Sequence, residues 1–266
     1  MMKLAMLHNR PFVIEGETTG RMIKNAATIL EALEVKATWQ LGEIQPYTMA
    51  ELDAPIQTPQ QIFAVGMNYR DHSAEIHIEL PKAPSIFTKF SSSIAAPVVD
   101  VKAHGPQTDW ETEIVAVVGQ TGRDIATEDA MNYVAGVMVG EDLSDREVQF
   151  QNAKPQFSMG KSFENYAPIG PWLTTVDELG NLDDEVITTK VNGAVMQEAP
   201  LSQMIFKIPE LVHYLSTVVE LRPGDLIFTG TPSGTGVGHE PQIFLKPGDE
   251  LTGEITHLGQ LRMTIK

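Results

Sequence analysis

Apolar residues recur along this chain mostly in short runs of five to eight, bounded by glycine, proline or asparagine, the pattern of a strand-rich protein. Lys3-Leu4-Ala5-Met6-Leu7 reads as a first strand, with a turn at Asn9-Arg10-Pro11 and a second strand after it. Ile23, Ala26, Ile29, Leu30 and Leu33 repeat at helical spacing and predict a helix over 22–33 whose stripe packs a core. The Pro- and Gln-containing stretch from Leu52 to Gln60 suggests a boundary between a small N-terminal part, 1–57, and a larger part, 58–266. Ile114 to Val118 is β-branched, ends at Gly119 and reads as a buried strand, as does Tyr133 to Gly140. Turns are expected at Gly119-Gln120-Thr121-Gly122, at Gly180-Asn181 and, as a hairpin, at Asn192-Gly193. A helix is expected over Ile208 to Val219, and Gly230 to Gly238 reads as a glycine-rich loop. Together these predict a mixed α+β, β-rich fold, a roll or sandwich.

Composition narrows the functional classes. The 266 residues suffice for one large domain, or a small plus a larger one. A formal charge of −16 argues against nucleic acid and anionic membrane surfaces as partners. There is no cysteine, so disulfides, thiol nucleophiles and zinc–thiolate sites are excluded. No apolar run approaches membrane-spanning length, and a cytoplasmic location is the expectation.

Candidate chemistry centres on acidic side chains. Glu111 and Glu113 lead into the strand at 114–118, so alternation puts both on one face and Thr112 on the other. Carboxylates that close repel unless a cation sits between them, and oxygen-only ligation suits magnesium, manganese or calcium. A solvated strand face is the ordinary alternative for Glu-x-Glu alone. Asp142 follows the strand at 133–140 and opens a helical or turn-like segment, 142–151, on which Asp142, Arg146 and Gln149 would share a face. A capping acid with a surface ion pair would account for that segment equally well. Lys161 lies in a charge-poor stretch; it is either a snorkelling surface lysine or an ammonium held over a developing enolate. Residues 230–238 lack both the phosphate-loop and the dinucleotide glycine patterns, although Thr229 and Thr231 with nearby N–H groups could clamp a carboxylate. His72 and His77 do not have the spacing of a zinc-protease pair.

The motifs taken together resemble the fumarylacetoacetate hydrolase family. The resemblance is carried by Val65 to Glu75, Ile86 to Ile94, Asp109-Trp110-Glu111-Thr112-Glu113, Glu141 to Arg146, Lys161 to Glu164, Ile169 to Trp172 and Pro223 to Gly234, in that order. It implies the family's β-roll or sandwich with a small N-terminal α/β domain. It implies that Glu111, Glu113 and Asp142 hold Mg2+ or Mn2+, that Lys161 stands beside the metal, and that Arg146, Gln149 and Thr231 face a small anionic 2-oxo acid. It further implies that His72 and Glu75 form a water-activating pair on a mobile lid, and that the chain forms a homodimer. One departure is visible: the family often has Lys-Pro where this chain has Lys89-Phe90.

The expected activity is hydrolysis of a carbon–carbon bond in acylpyruvates or related 2,4-dioxo acids. Cleavage of C3–C4 leaves an enolate of pyruvate, whose negative oxygen the cation and Lys161 would stabilise. Oxaloacetate decarboxylation and isomerisation of a 2-hydroxyhepta-2,4-diene-1,7-dioate share that intermediate and stand as alternatives. Hydrolysis alone needs an activated water, hence His72 and Glu75. A binding protein without catalysis is the third reading.

Overall fold

The structure, a computed structural model, describes residues 2–70 and 82–266. Among these, strands dominate, and two sheets stack with a strand pair at their edge. The larger sheet has twelve strands, and its central order in space is Lys3–Leu7, Ala167–Thr175, Val134–Glu141, Thr112–Val118, Leu226–Phe228, Ile62–Gly66 and Ser85–Thr88. The second sheet has five, in the order Ala194–Pro200, Val186–Val191, Glu250–Ile255, Gly259–Ile265 and Val98–Val101. Thr108–Asp109 pairs with Ser144–Asp145 beside the site described below.

The strand at Thr112–Val118 shows why the layers form. All seven of its residues are buried, so both faces meet protein. Ile114, Ala116 and Val118 point into a core shared with the second sheet and the helix Ile208–Val218. Val115 and Val117 point the other way, into a core built with Leu4, Met6, Ile23 and Ile29 from the N-terminal part. Val137 and Val139 against Met138 repeat the division on the neighbouring strand. A continuous β-branched run with no polar alternation is what a middle layer requires.

Several expected elements form with small shifts. The helix at Ile208–Val218 ends one residue early and is closed at its start by Glu210, whose carboxylate accepts the Lys207 N–H at 2.7 Å. Asn192 and Gly193 adopt φ of 51° and 81°, the two left-handed residues of a tight hairpin between Val186–Val191 and Ala194–Pro200. The first turn falls at His8 and Asn9, with φ of 52° and 59°, so Arg10 and Pro11 already belong to the second strand.

Two helical expectations are corrected. Residues 22–33 are not one helix: Thr19–Met22 is a strand paired with Arg10–Ile14, and the helix runs only over Ile29–Glu34. Thr28 sets that start, its hydroxyl accepting the Glu31 N–H at 3.1 Å. Ile23 and Ile29 still meet in one core, which explains the misleading spacing. Helix 142–151 is likewise shorter, Arg146–Phe150, capped by Asp145 through the Val148 N–H at 2.9 Å. Asp142 therefore reaches its neighbours from a strand end and shares no helix face with Arg146.

Candidate active site

Backbone pairing assembles the acidic cluster. Thr112–Val118 and Val134–Glu141 are antiparallel neighbours, with Thr112 opposite Glu141 and Glu113 opposite Gly140. Glu111 precedes one strand and Asp142 follows the other, and the Asp142 N–H donates to the Glu111 carbonyl at 2.9 Å. One oxygen each from Glu111, Glu113 and Asp142 falls within 4.8 Å of the others. Thr112 faces away as expected, donating its hydroxyl to Glu141 Oε2 at 2.8 Å. Glu141 Oε1 accepts the Glu111 N–H at 2.5 Å, bracing the turn that presents the first carboxylate.

Cations converge on the same spot. Lys161 Nζ is 2.6 Å from Glu111 Oε2 and 2.7 Å from Asp142 Oδ2. Gly160 brings it there: an added Cβ would lie 2.9 Å from the Asp145 carbonyl and the Gln149 nitrogen, so only glycine lets these short helices pack so closely. Arg146 Nη2 donates to Glu111 Oε1 at 2.7 Å and Nη1 to Gln149 Oε1 at 2.8 Å. The expected neighbours Arg146 and Gln149 thus do share a face. Lys161 is buried, not a snorkelling surface residue.

The titration of these groups follows from their partners. Burial works to raise Glu111, but Lys161 and Arg146 outweigh it and hold that carboxyl at about 2. Burial pushes Glu113 well up, and the nearby Asp142 and Glu111 push it further. Burial works against a charge on Lys161, yet Asp142 and Glu111 raise it above its ordinary value. Glu113 makes no ion pair among the described residues and takes only the Gly230 N–H, at 2.8 Å. A third carboxylate disfavoured as an anion, beside two others in an all-oxygen donor set, fits a hard divalent cation.

The cluster opens into a cavity of about 370 Å³. Glu111, Arg146, Gln149, Lys161 and Thr231 line its polar end, and Val65, Met67, Phe87, Phe150, Phe157 and Val237 form much of the rest. Phe87 lies against Lys161, whose Nζ is 5.0 Å from the ring centre. Thr231 donates its hydroxyl to the Thr112 carbonyl at 2.8 Å and accepts from Gln197 Nε2 at 2.9 Å. Thr229 points to the Ile114 carbonyl and does not line the cavity. His72 and Glu75 lie outside the described residues.

Three buried residues were given no role by the sequence reading: Lys89, noted only where the chain departs from Lys-Pro, Asp109 and Glu141. Lys89 Nζ donates to Asp142 Oδ1 at 2.5 Å and to the carbonyls of Lys161 and Tyr166 at 2.5 and 3.1 Å. Its signals were its place at the family's Lys-Pro pair and its being the one charge between Ile86 and Ile94. Asp109 and Glu141 each flank a carboxylate already singled out, and adjacency alone could not separate support from ligand.

Comparison with known proteins adds four likenesses. A family model described as the C-terminal part of fumarylacetoacetate (FAA) hydrolase matches residues 61–266. A rat protein, oxaloacetate tautomerase Fahd2a, mitochondrial, is 40% identical over 245 residues, 91% of this chain and 78% of its own length. A Mycobacterium smegmatis protein carrying the provisional name HpcE superposes with a TM-score of 0.92 at 40% identity, over 99% of each chain. Fumarylpyruvate hydrolase from Pseudomonas aeruginosa, solved in complex with Mn2+ and pyruvate, superposes with a TM-score of 0.69 at 32% identity, over 78% of this chain and 89% of its own. The mitochondrial rat relative overturns the cytoplasmic expectation, because the lack of a long apolar run says nothing about which compartment a protein enters.

Proposed function

Because this chain belongs to the fumarylacetoacetate hydrolase family, we propose that it is a divalent-cation-dependent enzyme interconverting the keto and enol forms of a 2-oxo acid of the oxaloacetate class. The observation carrying this reading is the buried trio of Glu111, Glu113 and Asp142 opening into a cavity whose polar end holds Arg146, Gln149 and Lys161. The likeness to an oxaloacetate tautomerase favours proton transfer over bond cleavage.

Tautomerisation removes a proton from C3 and places one on the C2 oxygen. Glu111, Glu113 and Asp142 would hold a divalent cation, which would supply Lewis-acid polarisation of the substrate. Arg146 stays protonated, because Asp109 and Glu111 outweigh the effect of its burial, and it offers the ligand a fixed Nη1–H donor. Gln149, tied to Arg146 Nη1, orients the same end. Lys161 keeps its proton and donates a hydrogen bond where negative charge gathers on the C2 oxygen. Phe87 and Phe157, whose ring centres are 5.3 Å apart, give the cavity an apolar wall beside Lys161. His72 and Glu75 are proposed as the pair that moves the C3 proton.

Hydrolysis of an acylpyruvate is the second reading, favoured by the likeness to fumarylpyruvate hydrolase. The two separate in one experiment. Purified protein with Mg2+ or Mn2+ is expected to speed the loss of the enol absorbance of oxaloacetate over buffer alone, and to stop when chelator is added. Cleavage of acetylpyruvate with no acceleration of oxaloacetate tautomerisation would replace this reading with the hydrolytic one. A homodimer is also proposed; sedimentation at the monomer mass would refute it.

A further inference from the structure

Asp109 lies behind the cavity and not on its wall, fully buried at the entry to the segment carrying Glu111. Its oxygens gather donors from separate parts of the chain. Oδ1 accepts the N–H of Gly236 at 2.6 Å and of Trp110 at 2.8 Å. Oδ2 accepts Arg146 Nε at 2.8 Å and the Val237 N–H at 3.0 Å, with Arg146 Nη2 2.7 Å away. Arg146 and Val237 both line the cavity, one from a helix and one from the glycine-rich loop.

One carboxylate therefore joins the guanidinium that faces the ligand to the backbone of the loop beside it. With Nε and Nη2 directed to Asp109 and Glu111, Nη1 is the guanidinium nitrogen with capacity left for a ligand. Without Asp109, Arg146 would keep Glu111 and Gln149 but lose the anchor at Nε, and the loop amides would lose their acceptor.

We propose that Asp109 is a positioning residue that fixes Arg146 and the Gly236–Val237 backbone as one unit, setting the relation in which both meet a bound 2-oxo acid. This rests on the proposed binding of such acids at this site. Supporting groups of this kind change affinity by about 10- to 100-fold when altered.

The test uses the magnesium-loaded full chain, oxalate as the probe in calorimetry, and amide hydrogen exchange read on peptides covering 234–238. Asp109→Asn is expected to raise the oxalate Kd about 10- to 100-fold and to speed exchange at 236–237 selectively. Arg146→Lys is expected to speed the same amides, and Asp109→Asn added to it should change the Kd by less than about threefold, since residues acting through one another do not add. A Kd within about threefold of wild type in the single variant, or factors that multiply in the double variant, would overturn the proposal. So would exchange that rises uniformly across the chain. Should Asp109→Asn fail to fold, unchanged exchange at 236–237 in Arg146→Lys overturns the coupling by itself. Wild type that binds oxalate yet does not tautomerise oxaloacetate would sink the proposed reaction and leave this inference standing. The exchange measurement needs no ligand.

Discussion

Lys89 carries a charge into a place where charge is costly. Burial lowers its pKa, Asp142 draws it back up, and three oxygens accept its hydrogen bonds. Lys89→Met leaves Asp142 to Lys161 alone and takes the donor from two buried carbonyls, each worth about 1–3 kcal/mol when left unpaired. It is expected to lower the urea unfolding free energy in chelator by at least about 1 kcal/mol; no measurable loss would mean that Lys161 alone balances Asp142. The departure from Lys-Pro at this point has a local reason. The Phe90 N–H donates to Ser162 Oγ at 3.0 Å, a bond proline could not make. At the trio itself, Asp142→Asn is expected to cut turnover about 10²- to 10³-fold, because it weakens the hold on a cation whose Lewis-acid contribution is worth several kcal/mol. Turnover within about threefold of wild type would remove Asp142 from the site. Glu111, Glu113, Asp142, Arg146, Gln149 and Lys161 were legible through the family motifs, since the residues alone left a solvated face, a capping acid or a surface lysine open. Lys89 was noted only as half of a departure from Lys-Pro, and Asp109 only as part of a motif, because the groups each one binds are brought together by the fold.

Among the elements, buried strands were the easiest to read, since Ile114 to Val118 has one composition whichever face is considered. The segment 22–33 failed because helical spacing between Ile23 and Ile29 was produced by a strand end and a helix start converging on one core. Spacing measures which residues meet and not how the chain travels between them. The hairpin at Asn192-Gly193 was legible because its backbone demands left-handed residues. An added Cβ at Gly193 would meet nothing within 4 Å, so Gly193→Ala isolates the conformational cost. A loss of about 1–2 kcal/mol of stability with unchanged turnover is expected from chemical denaturation and the tautomer assay. No loss would mean that the turn relaxes freely.

For the whole molecule, a buried acid predicts how stability responds to pH. Burial pushes Glu141 up to about 8, although Thr112 and the Glu111 N–H oppose it. The folded chain then holds this proton more tightly than the unfolded chain, where the value is near 4.5. The contribution is fully present below about 4.5 and is lost as pH rises through about 8. Stability in chelator should fall across that window by up to about 1.4 kcal/mol per pH unit for this group. Glu141→Gln should flatten the fall between pH 5 and 8; an unchanged slope would assign it to Glu113 alone. Glu111, held near 2, acts in the opposite sense, losing its contribution only as pH drops to that value.

The carboxylates take their places from the hydrogen-bonded register of two innermost strands, whereas Gln149, Phe157, Thr231 and Val237 arrive on short helices and loops. The anvil is thus set by strand register, and of its fittings Phe157 is the one not tied to it by the bonds described above. There a lineage can retailor what it admits, trading one small acid for another, while the reactive centre passes down untouched.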